Sequence, residues 1–247
     1  MNNLNFILPE IFIALSIMFL LILGVFKKDS TKLIFNLSSL VLLITATITF
    51  NETWGVTRVT LFNKSVVVDY MSSFMKIVTL LSAFLALVIS SSYLKVFKIF
   101  KIEYPILILS SVLGMMVMIS SNDLMVFYMG LELQSLALYV LATFNRDQLK
   151  SSEAGLKYFV LSALSSGLLL YGCSLIYGFS GSTNFDVIAN QLNSSEYILS
   201  FGIVFILVGL SFKISAVPFH MWAPDVYEGS PTSVTLFFTM VPKIAAL

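Results

Sequence analysis

The chain is poor in charge and in cysteine, and each shortage excludes a class of protein. Only 11% of its 247 residues are Asp, Glu, Lys or Arg, against about 25% in soluble globular domains. Its single cysteine, Cys173, can form neither an internal disulfide nor a cysteine-ligated cluster, and the sequence has no phosphate-binding loop or dinucleotide-binding glycine pattern. If redox chemistry is involved, it is therefore expected to take place in another subunit. The 14 basic and 13 acidic residues give no reason to expect nucleic acid.

Long apolar runs fill most of the sequence, and 58% of the residues are hydrophobic. A membrane-spanning helix needs about 20 mostly apolar residues. Eight such runs predict an all-α polytopic membrane protein, with no soluble domain or linker between them. The runs cover residues 9–26, 33–50, 73–94, 104–121, 123–143, 154–178, 197–216 and 231–247.

The distribution of Lys and Arg predicts how these spans are oriented. No Lys or Arg precedes the first run and no small-residue cleavage site follows it, so it is expected to remain as a helix. One side of the membrane would carry only Arg58, Lys64 and, just inside a helix, Lys76. By the positive-inside rule, the N-terminus is expected to face away from the cytoplasm or mitochondrial matrix. The more basic side holds Lys27, Lys28, Lys32, Lys95, Lys98, Lys101, Arg146 and Lys150.

Two segments between the runs have patterns of their own. Residues 57–69 alternate around Asn63-Lys64, which predicts a short β-hairpin. Residues 184–192 place Phe185, Ile188 and Leu192 on one face, which predicts a short surface helix.

The last run is shorter than a full membrane span. It is expected to start at Pro231 with Ser230 as its cap. From there to Leu247 a helix would be roughly 24 Å long at 1.5 Å per residue, less than a hydrocarbon core of about 30 Å. We therefore expect the chain to be a piece of a longer protein.

An acid near the middle of the fifth run, Glu132, is the clearest candidate functional residue. A charge at a helix centre costs about 2.5–3.5 kcal/mol on insertion scales, and no loop is close enough for this one to reach water. Glu132 either makes a structural hydrogen bond or acts as a proton carrier, or as a charge paired with a buried lysine. Gly130 would allow another helix to approach closely.

The segment from Lys213 to Lys243 holds four of the six prolines and the only histidine. Pro218 is expected to weaken the seventh helix just after Lys213. A broken helix would place Lys213 and freed carbonyls in one polar pocket, whereas a regular helix would let the lysine reach the interface. Lys243 lies well inside the eighth run and is expected to take part in proton transfer. His220 is either a satisfied structural residue or a proton relay, since histidine exchanges protons near neutral pH.

Other charged residues have local explanations. Lys157, one turn after Glu153 at the start of the sixth run, either reaches the interface or takes part in proton transfer. Asp225 and Glu228 are expected to serve loop structure or capping, and Asp123 to cap the fifth helix. Together, an acid on one helix, lysines on two or three others and a histidine are typical of a proton pathway. They do not support a two-metal site or a nucleophilic triad.

Three stretches resemble one known family. They are G-L-E-L-Q-S-L around Glu132, K-Y-F-V-L-S-A-L-S-S-G from Lys157, and F-K-I-S-A-V-P-F-H-M-W-A-P-D-V-Y-E-G-S-P from Phe212 to Pro231. All are similar to the antiporter-like proton-pumping subunits of respiratory complex I, the NADH:quinone oxidoreductase. The ending D-V-Y-E-G-S-P resembles the smaller of these subunits, since the larger sister subunits and the Mrp-type cation/proton antiporters usually carry a D-A-H-type continuation. The resemblance extends over essentially the whole chain.

The resemblance implies an antiporter-like fold of about fourteen helices with two inverted repeats, each containing a broken helix. Residues 1–247 would form a single transmembrane domain, with leading helices one to three in 1–103 and a first repeat, incomplete in its last helix, in 104–247. Glu132 and Lys213 would form a charge pair whose separation gates proton movement. His220, Lys243 and Lys157 would extend the polar axis.

The implied function is proton translocation driven by electron transfer in partner subunits, in a bacterial or mitochondrial inner membrane. No cofactor is expected in this chain, and NADH, FMN, iron–sulfur clusters and quinone would bind to partners. Those partners would be other membrane subunits of complex I, within the lipid bilayer. Two alternatives stay open: an Mrp-type cation/proton antiporter subunit and a structural membrane scaffold.

Overall fold

A computed structural model describes residues 2–27, 30–191 and 197–246. The predictions that involve Lys28, Leu192 and Leu247 lie outside these ranges. The described part contains ten α-helices and one β-hairpin. In chain order they are α1 (Leu8–Phe26), α2 (Thr31–Thr53), β1 (Val59–Leu61), β2 (Val66–Val68), α3 (Tyr70–Val96), α4 (Glu103–Ile119), α5 (Leu124–Ala142), α6 (Leu149–Ser180), α7 (Phe185–Gln191), α8 (Tyr197–Ile214), α9 (Trp222–Gly229) and α10 (Thr232–Ala246).

Each of the eight apolar runs forms a helix at the predicted place. The largest difference is at α6, which begins at Leu149 rather than 154, because residues 149–153 continue the helix as a polar extension. Five helices, α1, α2, α3, α5 and α6, are long and apolar enough to cross a membrane. The apolar helices α4, α8 and α10 are shorter. The prediction of a mainly helical, multi-spanning membrane protein is confirmed at this level.

Polar side chains inside the leading helices bond to their own backbone. On α2, the hydroxyls of Ser38, Thr45, Thr49 and Thr53 each donate to the carbonyl four residues earlier, at 2.6–2.8 Å. A hydroxyl that finds no water in the hydrocarbon region loses little when it bonds the preceding turn. These residues therefore allow a partly polar sequence to form a membrane helix.

Helices α4 and α5 touch through their backbones at two glycines. A Cβ atom added to Gly114 would lie 2.5 Å from the Gln134 nitrogen, and one added to Gly130 would lie 2.8 Å from the Met118 nitrogen. The close approach expected at Gly130 is confirmed. This contact sets the rotation of α5 about its own axis relative to α4, and with it the direction in which Glu132 points.

The hairpin closes one end of the bundle, as the alternation around Asn63 predicts. β1 and β2 pair antiparallel, and β2 continues into contact with the α4–α5 turn, where Val67 donates to the Ser120 carbonyl at 2.8 Å. Asp123 caps α5 by accepting from the amide nitrogens of Met125 and Val126, which confirms its predicted role. We call the end of the bundle that contains the hairpin and the α4–α5 turn the hairpin end.

The predicted surface helix is present as α7 and is tied to the hairpin end by Asp186. Its carboxylate accepts from the Asn122 amide at 3.0 Å and from the Arg58 guanidinium at 3.0 Å. The hydrogen bond from Asn122, and then that from Arg58, lowers the pKa of Asp186 below its ordinary value of 3.8. The contact is therefore strongest with Asp186 ionised.

Candidate functional site

The seventh apolar run forms α8, and this helix is interrupted directly after Lys213. α8 ends at Ile214, and Ser215 has φ of 60°, a left-handed conformation that cannot continue a right-handed helix. A helix end leaves carbonyls without partners. The Phe212 carbonyl accepts from the indole Nε1 of Trp222 at 3.0 Å, and the Ile214 carbonyl accepts from Lys243 Nζ at 2.6 Å. The broken form of the helix, one of two alternatives from the sequence, is the one observed.

Glu132 and Lys213 form an ion pair across α5 and α8. Lys213 Nζ lies 3.6 Å from Glu132 Oε1, and the side chains are 8% and 23% exposed. At 3.6 Å the two groups attract each other without a direct hydrogen bond. Each therefore needs other partners.

Hydroxyl groups supply those partners. Lys213 Nζ donates to Ser135 at 2.9 Å, Ser162 at 2.8 Å and Tyr139 at 3.3 Å, and Tyr139 in turn donates to Ser162 at 2.6 Å. Glu132 Oε1 accepts from the hydroxyl of Ser166. We call Glu132, Lys213 and these four hydroxyl residues the hydroxyl cluster.

These four hydroxyl residues are not among the site residues predicted from the sequence. A signal was present, since Ser135 and Tyr139 are four residues apart on α5, and Ser162 and Ser166 are four apart on α6. That spacing puts each pair on one face of its helix. It could not show that the two faces point at the same lysine.

Lys243 approaches the same region from α10. Besides the Ile214 carbonyl, its Nζ donates to the Ser215 hydroxyl at 2.8 Å. A cation at the C-terminal end of a helix is favourably placed with respect to the helix dipole. Lys213 and Lys243 line one small cavity of about 20 Å³, room for a single water molecule. The structure thus brings together Glu132, Lys213 and Lys243.

His220 and Lys157 stand apart from this cluster. His220 lies in the turn between α8 and α9, does not line the cavity, and has a buried Nδ1 with no hydrogen-bond partner among the described residues. Lys157 is 41% exposed and pairs with Glu153 at 2.9 Å and with Asp225 at 2.8 Å. It is nine residues before Ser166 on α6, or about 13 Å along the helix axis.

Asp225 and Glu228 require a correction. The sequence predicts loop or capping residues in a connection, but both lie on the short helix α9. Asp225 pairs with Lys157, and Glu228 lies 3.6 Å from Lys150. The helix forms despite Pro224, because a proline in the first turn of a helix is tolerated there.

The bundle contains another ion pair, between Glu10 and Lys76, which the sequence does not predict. Lys76 Nζ donates to Glu10 Oε1 at 2.6 Å, with side-chain exposures of 2% and 11%. Lys76 lies inside a helix, as expected, and its side chain points into the bundle, where it joins α3 to α1. The lone acid in the first turn of α1 was the available signal.

The candidate site contains ionisable side chains and hydroxyls rather than a metal-ligand set. Within the described part of the chain, no three His, Cys, Asp or Glu side chains come together as a metal site would require. Cys173 is buried on α6 as a small apolar side chain.

An interrupted helix whose lysine faces a partly buried carboxylate defines a class of protein: α-helical membrane proteins built around an intramembrane charge pair. A profile of one family within that class, described as NADH:quinone oxidoreductase/Mrp antiporter, transmembrane, matches residues 121–247. The chain belongs to this family.

Relatives and solved structures agree with this assignment. The chain is 74% identical over 247 residues to NADH-quinone oxidoreductase subunit N of Pelagibacter ubique, covering 100% of the chain and 52% of that protein. It is 54% identical over 245 residues to subunit N of Rhodospirillum rubrum, covering 97% and 50%. It resembles a chain of respiratory complex I from Thermus thermophilus with bound aureothin, with a TM-score of 0.82 and 31% identity, over 96% of this chain and 51% of that one.

A chain of the Mrp complex from Dietzia has the same fold, with a TM-score of 0.78 and 23% identity over 97% of this chain and 47% of that one. The chain spans about half the length of the curated relatives it matches.

Proposed function

We propose that the chain is part of a proton-translocating membrane subunit of NADH:quinone oxidoreductase. The observation that carries the proposal is the pairing of Glu132 with Lys213 at 3.6 Å, beside an interrupted helix. Intramembrane charges are costly and mark ion or proton pathways. High identity to subunit N proteins of known name supports this member of the family over the Mrp branch.

Lys213 would pass a proton to a neutral Lys243 across the one-water cavity, and a protonated Glu132 would then return a proton to Lys213 within the hydroxyl cluster. His220, whose Nδ1 is buried without a described partner, would exchange protons next to the interrupted segment. Lys157, which is exposed and paired with two carboxylates, would exchange protons with water where the pathway meets the surface.

In the whole subunit, all eight apolar helices would span the membrane, and the chain would be the first half of a fold of about fourteen helices with inverted repeats. Residues 1–103 would be leading helices and 104–247 a first repeat. The N-terminus would face away from the cytoplasm or matrix, in the bacterial or mitochondrial inner membrane. NADH, FMN, iron–sulfur clusters and quinone would bind to partner subunits.

The test is NADH-driven proton uptake by membrane vesicles that contain the assembled enzyme with Glu132→Gln or Lys213→Met. Both variants are expected to lose most proton uptake, because each removes one member of the pair. Lys150→Met is the matched control, since it removes a lysine that is 80% exposed. Unchanged uptake per complex in both variants would contradict the proposal.

Two other results would favour the alternatives. Sodium-dependent proton exchange in vesicles without NADH would indicate a cation/proton antiporter. A lower amount of complex, with normal uptake per complex, would indicate a structural scaffold.

A further inference from the structure

Three aromatic rings form a stack beside the cavity that Lys213 and Lys243 share. Tyr158 of α6 stacks on Trp222 of α9 with centroids 4.7 Å apart and planes at 8°, and Trp222 stacks on Phe212 of α8 at 5.5 Å and 22°. The indole nitrogen of Trp222 also donates to the Phe212 carbonyl at 3.0 Å. Trp222 is thus held on both faces and at its polar edge.

The stacked rings are buried, whereas residues next to them on the same helices are exposed to solvent. Tyr158 and Trp222 are buried, at 6% and 4% exposed, and both line the cavity. Their neighbours on the same helices, Lys157 and Asp225, are 41% and 59% exposed and line a surface depression instead. One residue along α6, and one turn along α9, therefore separate the cavity wall from solvent.

The helix that carries Trp222 is short and is held mainly by its packing against α6. α9 is eight residues long and follows residues 215–221, which form no helix. Its packing is mainly on α6, and the Lys157–Asp225 ion pair joins the two helices at 2.8 Å. Movement of α9 away from α6 would separate Trp222 from Tyr158.

We propose that the Trp222–Tyr158 contact closes the lysine cavity to water from the Lys157 side, and that the Lys157–Asp225 pair holds it closed. Trp222, Tyr158 and Asp225 act as positioning residues, because they control access to the reacting lysines. The role of this closure in proton transfer rests on the proposed function. The closure itself depends only on the packing of α9.

The test is the reactivity of a cysteine placed in the cavity wall. Leu138 lines the cavity and is 2% exposed. The full-length subunit would carry Leu138→Cys and Cys173→Ser, with no other reactive cysteine, and would be assembled into the complex in vesicles. A small cationic methanethiosulfonate, which does not cross the membrane, is then applied to each side in turn.

The cysteine is expected to react slowly with Trp222 present. With Trp222→Ala, reaction from the Lys157 side should be about tenfold faster or more, since local opening controls access to a buried group. Asp225→Asn should accelerate it roughly twofold to fivefold, because an exposed ion pair contributes little more than that to such an equilibrium. Trp222→Phe keeps a ring on Tyr158 and should stay close to the parent rate.

Glu228→Gln is the matched control for Asp225→Asn. It removes a carboxylate of the same helix whose ion pair is longer, at 3.6 Å, and about 80% exposed, and it should not change the rate. Equal rates with Trp222 and Trp222→Ala, or faster reaction only from the hairpin-end side, would overturn the proposal. If Trp222→Ala does not assemble, equal rates for Asp225→Asn and Glu228→Gln overturn it.

The labelling requires no NADH, so its outcome is separate from that of the proposed function. Accelerated labelling together with normal proton uptake by Glu132→Gln would keep the closure and reject the proton pathway. Unchanged labelling with Trp222→Ala, together with lost proton uptake by Glu132→Gln, would reject the closure and keep the proton pathway.

Discussion

Replacing Lys76 with methionine tests whether the buried pair with Glu10 stabilises the attachment of α1. Methionine keeps much of the lysine volume and removes the charge, which leaves the Glu10 carboxylate buried without its partner. Its second oxygen, Oε2, already has no hydrogen-bond partner among the described residues. Breaking one side of a buried ion pair costs about 3–5 kcal/mol.

The double variant Glu10→Leu with Lys76→Met should behave differently. An apolar pair of similar volume commonly replaces a buried ion pair at little cost, or with a gain of about 1–4 kcal/mol. The double variant is therefore expected to be much more stable than the sum of the single changes.

The assay is hydrogen exchange of the backbone amides in the first two turns of α1, in the full-length subunit within the complex. A cost of about 3 kcal/mol or more corresponds to a loss of protection of roughly 10²-fold or more. Lys95→Met, at the exposed end of the same helix α3, is the control and should leave these amides unchanged. A change below about fivefold in Lys76→Met, or simple additivity in the double variant, would refute the reasoning.

Three further predictions follow from the packing. Gly114→Ala should lower the thermal stability of the purified complex by the equivalent of about 1–3 kcal/mol, because the added Cβ would press on the α5 backbone. Gly167→Ala is the control and should not lower it, since the added Cβ meets nothing within 4 Å. Equal effects of the two changes would argue against the close contact. The pKa of Asp186 is lowered, so the stabilisation that its carboxylate gives to α7 is complete above about pH 4 and is lost as pH falls through the lowered pKa. Hydrogen exchange of the α7 amides should therefore become faster at low pH. In Asp186→Asn this pH dependence should be absent. Lys243→Met should increase exchange at the end of α8 by the equivalent of about 1–3 kcal/mol, since the Ile214 carbonyl loses its donor; unchanged exchange would show that this bond does not cap the helix.

The sequence predicts most of the fold because the signals for it are local. Twenty-residue apolar runs, alternation around Asn63 and a cap at Asp123 each lie within one stretch of chain, and each is confirmed. The break after Lys213 was only one of two alternatives, because a proline weakens a helix without fixing where the preceding turn ends.

The partners of the buried charges could not be predicted in the same way. Glu10 and Lys76 are 66 residues apart, and Lys213 is 78 residues from Ser135. Periodicity gives the face of a helix on which a residue lies, but not the neighbour that the face meets. The contact of α4 with α5 at Gly114 and Gly130 likewise becomes visible only when the helices are packed.

The hydroxyls around Lys213 make the polarity of its hydrogen bonds reversible. A serine or tyrosine hydroxyl can donate as well as accept. When Lys213 carries its third proton, Ser135, Ser162 and Tyr139 all accept from it. When that proton leaves, rotation of a single O–H bond lets one hydroxyl donate to the free lone pair, with every heavy atom in place. Lys213 can therefore change its charge without a change in the positions of the helices around it. Residues 215–221, which form no helix, are a part of the same region in which no ladder of helical hydrogen bonds holds the backbone.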